Sequence, residues 1–188
     1  MSSIHHLIEL RNRIIYCFLF FIVSFFIAYI FIEDIFSFLT KPFANSIDFK
    51  EDKRLIFTGL TEVFISYIKL SLLSALIISF PYLIYQIWIF VAPGLLKKEK
   101  KIIFPFLFLI PVMFIFGFTF LYYFVIPLAW DFFVSFDTFI DKQSLKVELE
   151  PKVNEYLSLT LKLAFAFGFA FQLPLIIFLF SILGLTTT

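Results

Sequence analysis

Four long uncharged runs, Ile14–Ile32, Leu70–Leu96, Ile102–Trp130 and Leu163–Thr188, constrain this chain more than any other feature. Each is close to or longer than the roughly 20 residues that cross about 30 Å of hydrocarbon as a helix. The runs lack the polar alternation of a membrane β-strand, so a barrel is excluded. What remains is an all-α integral membrane protein with four transmembrane helices, at about 14–32, 68–92, 102–129 and 160–184. With no internal repeat and no Gly/Ser-rich linker, residues 1–188 read as one membrane domain.

Composition agrees with the patterning. The chain is 62% hydrophobic and 15% charged, against about 25% charged in an ordinary soluble domain. The first run lacks a small-residue cleavage site and reads as an anchor rather than a removed leader. The lone Cys17 excludes an internal disulfide, and a net charge of +1 makes no case for nucleic acid. Phenylalanine occurs 32 times, a bias expected of AT-rich codons. It favours an organelle-encoded protein of the mitochondrial inner membrane over a plastid thylakoid or bacterial plasma membrane.

The charges between the runs set an orientation. Arg11 and Arg13 precede the first span, and "LLKKEKK" follows the second. The links Glu33–Glu62 and Asp131–Glu155 are long and more acidic. The positive-inside rule places the N-terminus and the lysine-rich loop on the cytoplasmic, matrix or stromal side. Pro81, Pro105, Pro111, Pro127 and Pro174 lie within the spans and predict kinks, which favour a concave bundle. "GLTEVFISYIKLSL" has helical spacing with Thr61 and Glu62 at its start, so span two is expected to begin outside the bilayer. A helix is also expected after Pro151, running into span four past Lys162, which can snorkel to the interface.

No catalytic constellation is present. His5 and His6 lack the partners of a metal site, and there is no phosphate loop or nucleophile elbow. Neither metal nor cofactor is implied. The candidates are polar groups at or in the membrane. Glu9 sits four residues before Arg13, a spacing that allows a local ion pair worth about 0.2–0.5 kcal/mol. Glu99 is the one acid among four lysines. Together they offer two carboxylates on one side of the membrane, a pair suited to two guanidinium groups. Gln172 and Gln86 are polar side chains within spans, read either as a bridge between helices or as part of a ligand surface.

Several stretches together resemble the TatC family of twin-arginine protein translocase subunits: "HLIELRNR", "FVAPGLLKKEKK", "FGFTFLYYFVIPLAWDFF" and "YLSLTLKLAFAFGFAFQLPL". They stand in the family's order and spacing over nearly the whole chain. The resemblance implies a non-enzymatic receptor for signal peptides bearing consecutive arginines. It would act with single-span TatA/TatB-type subunits to move folded proteins across an energised membrane, as a homo- or hetero-oligomer. It also implies a signal-peptide site of Glu9, Arg11, Phe90, Pro93 and Glu99. Gln172 would face the concave side with Gln86 nearer the inner interface, and Glu62 and Phe64 would belong to an outer cap. Gly59 and Leu60 stand where the family has Ser-Pro, and the family's fifth and sixth spans have no counterpart. A fragment, a split product and a reduced form all fit that pattern. Two readings from other classes are a small transporter lined by Gln172, Gln86 and Lys162, and an assembly subunit of a respiratory complex.

Overall fold

The computed structural model describes residues 3–46, 55–138 and 151–182. Its helices are α1 (Ser3–Ile30), α2 (Ile32–Ser46), α3 (Glu62–Val91), α4 (Lys97–Phe120), α5 (Ile126–Thr138), α6 (Val153–Ala170) and α7 (Leu173–Ile182). A 3-10 turn, Ala92–Gly94, follows α3, and a π turn, Leu121–Val125, joins α4 to α5. Four stretches are long and apolar enough to cross a membrane: His5–Ile30, Glu62–Gly94, Lys97–Phe133 and Val153–Ile182. The charged positions 48–54 and 142–146 and the tail after Ile182 lie outside the described residues.

α1 and α3 pack antiparallel. Phe20 stacks on Tyr82, and near the chain start Arg13 reaches Gln86. The end carrying Glu9 therefore also carries the end of α3 and the start of α4. The opposite end holds α2, the start of α3 and the start of α6.

α2 lies in what the sequence reading leaves as a link. Ile32, Leu39 and Phe43 are buried on one face, with Ile35 and Phe36 packed against the same core. Glu33 and Asp34 in the first turn suit the positive end of the helix. Pro42 has no N–H to give to the Phe38 carbonyl, and the Tyr122 hydroxyl supplies that bond at 2.8 Å. The Tyr156 hydroxyl donates to the Leu39 carbonyl at 2.6 Å. Phe43, Trp130 and Tyr156 complete the joint as one aromatic cluster. Two buried tyrosines thus hold α2 by its carbonyls, one of them the carbonyl that Pro42 leaves without its helix donor.

α3 begins at Glu62, inside the stretch expected to start early. Its 30 residues extend about 45 Å, well beyond the hydrocarbon, and its uncharged part begins only at Leu70. Glu62 therefore lies outside that layer. Its Oε2 accepts from the backbone N–H groups of Thr58 at 2.9 Å and Gly59 at 3.2 Å, and its Oε1 from Asn154 at 3.1 Å. Those bonds, first from Thr58 and then from Asn154, hold its carboxyl below the usual glutamate range. A short parallel bridge, Ile56 to Lys152, ties the same segment to the start of α6. Glu62 is the pin of this cap, whereas Phe64 is exposed beside it.

The prolines act differently along the chain. Pro81, Pro105 and Pro111 sit inside continuous helices. Pro127 follows the π turn, whose wider winding moves the backbone bonds ahead of the ring. Pro174 follows the break between α6 and α7. Spans three and four meet at Gly117 and Gly168. A Cβ at Gly117 would lie 2.8 Å from the Phe167 carbonyl oxygen, and one at Gly168 would lie 2.7 Å from the Phe114 ring. Only glycine permits this approach.

Candidate functional site

The first turns of α1 carry the site's carboxylate. Helical spacing places Glu9 and Arg13 on one face, and the Arg13 Nε and Nη2 both donate to Glu9 Oε1, the former at 3.1 Å. The same guanidinium spans to α3, where Nη1 donates to Gln86 Oε1 at 3.1 Å. Gln86 is buried, and its amide nitrogen donates to the Tyr82 hydroxyl at 2.7 Å. Tyr82 is in turn fixed by its stack on Phe20. Glu9 is thus held in place through Arg13, Gln86 and Tyr82. A charge-assisted chain of this kind is stronger than neutral bonds of the same length.

Glu9 Oε2 lies outside that chain. Its near neighbour is His6 Nδ1 at 4.0 Å, beyond hydrogen-bond distance. The His6 ring stacks on Phe90 of α3. These residues, with Leu10, Asn12 and Tyr16, line an open cleft of about 1130 Å³. It combines a carboxylate oxygen with an aromatic face, a surface that suits a planar cation.

The other expected residues distribute around the cleft. Arg11 is exposed and donates to Asn12 Oδ1 at 3.2 Å through Nη2; the arginine on Glu9 is Arg13. Pro93 sits in the 3-10 turn that ends α3. Glu99, three residues into α4, accepts from the Leu96 N–H at 2.9 Å and so completes its own helix start. Glu99 is on the same end of the bundle but is not among the residues lining the cleft. Four lysines crowd that helix start, where the macrodipole disfavours cations and one carboxylate relieves it.

Gln172 stands apart. It is 8% exposed and donates to the Ile110 carbonyl of α4 at 3.0 Å, which ties the α6–α7 break to span three. Gln86 and Gln172 serve separate junctions, and Lys162 is exposed on α6. An apolar groove of about 440 Å³ lies beside the cleft, lined by Ile14, Cys17 and Phe18 of α1, Leu76, Phe80 and Tyr82 of α3, and Phe169. Sequence reasoning missed Tyr82 and the use of His6, because both act through contacts between helices. Among the described residues no group of His, Cys, Asp and Glu side chains could hold a metal ion.

Comparison with known proteins gives the family. The family model described as Sec-independent protein translocase protein (TatC) matches residues 5–188. The Sec-independent protein translocase protein TatC of Magnetococcus marinus is 43% identical over 156 residues, covering 83% of this chain and 55% of that protein. The TatC of Rickettsia prowazekii is 42% identical over 154 residues, covering 82% of this chain and 60% of its own length. A crystal structure of the twin-arginine translocase receptor TatC superposes with a TM-score of 0.79 at 33% identity, covering 97% of this chain and 77% of that one. The chain spans little more than half the length of the curated relatives it matches. On the match of its sequence and of its fold, the chain belongs to the TatC family of Sec-independent protein translocases.

Proposed function

We propose that this chain carries the signal-peptide recognition site of a twin-arginine translocase, the system that moves folded proteins across an energised membrane. The observation that carries this reading is Glu9: Arg13 holds one carboxylate oxygen and leaves the other, and the residue lines an open cleft together with Phe90. A guanidinium of the peptide's arginine pair binds at Glu9 Oε2. The second is received at Glu99, on the same end of the bundle, in exchange for its contact with the Leu96 N–H. Arg11 and Pro93 flank the site, and Arg13 and Gln86 keep Glu9 in place. The adjoining groove takes the apolar stretch that follows the arginines. The recognition end faces the cytoplasm, matrix or stroma, as its lysines and arginines direct. The phenylalanine excess favours a mitochondrial inner membrane.

TatA/TatB-type single-span subunits are the assembly partners. The chain's part in this is recognition, with no bond made or broken in the cargo. The test is binding of a labelled twin-arginine peptide to the detergent-purified chain, beside the same peptide with both arginines replaced by lysine. Preference for arginine, reduced in Glu99→Gln, is the expected result. Equal binding of both peptides by a folded sample would remove the reading.

A further inference from the structure

The aromatic face beside Glu9 is occupied. The His6 imidazole lies on Phe90 with ring centroids 4.5 Å apart and planes 20° from parallel. From there its Nδ1 stands 4.0 Å from Glu9 Oε2, the oxygen that Arg13 leaves open. A guanidinium bound at Glu9 would fill the same two positions, a flat group on the aromatic face and an edge nitrogen toward the carboxylate. We infer that His6 is the resident occupant of the arginine seat, and that a peptide arginine enters by displacing the His6 ring from Phe90. This rests on reading Glu9 as the acceptor for the signal peptide.

The local structure suits displacement. His6 lies in the opening turns of α1, close to a helix end, where local opening costs least. Its side chain is 61% exposed, so the ring has solvent to move into. Its hold on Glu9 is longer than a hydrogen bond, whereas Arg13 binds the other oxygen through two nitrogens. Displacing His6 therefore leaves the Glu9–Arg13 pair intact. The guanidinium brings five donors in a fixed fork where the imidazole has two ring nitrogens. The exchange replaces a weak ligand with a strong one at the same place. An ammonium, with no flat face, cannot take over the stack.

The consequence is a measurable threshold. While His6 holds the seat, apparent affinity is lowered by the fraction of time the seat is filled. Removing a stacked pair's contribution predicts a gain of roughly two- to tenfold for His6→Ala. The experiment measures binding of twin-arginine and twin-lysine peptides to the wild-type chain and to His6→Ala. Alongside it, the ring resonances of the two histidines are followed in the wild-type chain by NMR. The free protein is expected to show one imidazole shifted by the Phe90 ring current, and saturation with the arginine peptide is expected to abolish that shift. Equal or weaker binding by His6→Ala, or a shift that persists in the saturated complex, overturns the inference. If the wild-type chain prefers arginine while the His6 ring stays in place, only this inference falls. If the wild-type chain binds both peptides alike or neither, the recognition reading falls and takes this one with it.

Discussion

Replacing Gly117 with alanine tests the packing of spans three and four. The added methyl would lie 2.8 Å from the Phe167 carbonyl oxygen and 3.2 Å from two side-chain atoms of Phe171. The carbonyl is part of the α6 backbone and cannot rotate aside, so the two helices must separate. Forcing atoms into a packed interface costs about 1–3 kcal/mol. Alanine's better helix propensity returns up to about 1 kcal/mol. The expected net loss is about 1–2 kcal/mol. Gly168→Ala meets the Phe114 ring at 2.7 Å, and that ring is boxed in by its stack on Phe80, so a similar loss is expected. The double variant should cost less than the sum, because the first substitution already parts the helices. Gly94→Ala is the control, since nothing lies within 4 Å of a methyl there. Reversible unfolding by SDS titration in mixed micelles, followed by tryptophan fluorescence, measures all four variants. If Gly117→Ala were as stable as Gly94→Ala to within about 0.5 kcal/mol, the claim that this glycine sets the helix spacing would be wrong.

Three further outcomes follow from particular bonds. Tyr156→Phe removes the second donor to the Leu39 carbonyl, which keeps its bond within the α2 helix, and so unties α2 from α6. A loss of about 0.5–1.5 kcal/mol is expected in the same titration, with faster amide exchange in α2. Gln172→Leu removes the bond to Ile110 and should cost about 0.6 kcal/mol, at most about 1.7, with no change in arginine preference. At Glu62 the carboxyl is held below its ordinary range, so its stabilisation is present above that range and is lost as pH falls through the lowered value. Amide exchange at Asn154 and Thr58 should therefore show an acid-driven loss of protection that Glu62→Gln abolishes; an unchanged profile in the variant would count against the pin.

Much of the fold is legible in the sequence because a membrane leaves few options. An uncharged run of this length must be a helix, and the early start of α3 follows from apolar spacing with Glu62 at its head. α2 was also available, since Ile32, Ile35, Phe36, Leu39 and Phe43 keep helical spacing behind Glu33 and Asp34. Pro42 and the charges around it make the segment read as a link; what rescues it is Tyr122 and Tyr156, more than eighty residues away. The site divides along the same line. Glu9 and Arg13 are i,i+4 neighbours, so their pairing is a local property. The reach of Arg13 to Gln86 and the stack of His6 on Phe90 depend on how α1 meets α3, which no local spacing encodes. Arg11 illustrates the limit from the other side: the resemblance implies it as a site residue, yet its guanidinium turns to Asn12.

A double-mutant cycle between the chain and its ligand addresses the recognition of arginine at Glu9 most directly. Binding is measured for the wild-type chain and Glu9→Gln, each with the arginine-pair peptide and with peptides in which one arginine or the other is lysine. A direct charge-assisted contact predicts a coupling of about 1–2 kcal/mol for one arginine position, roughly five- to thirtyfold in affinity, and little for the other. Coupling near zero at both positions would contradict an arginine seat at Glu9.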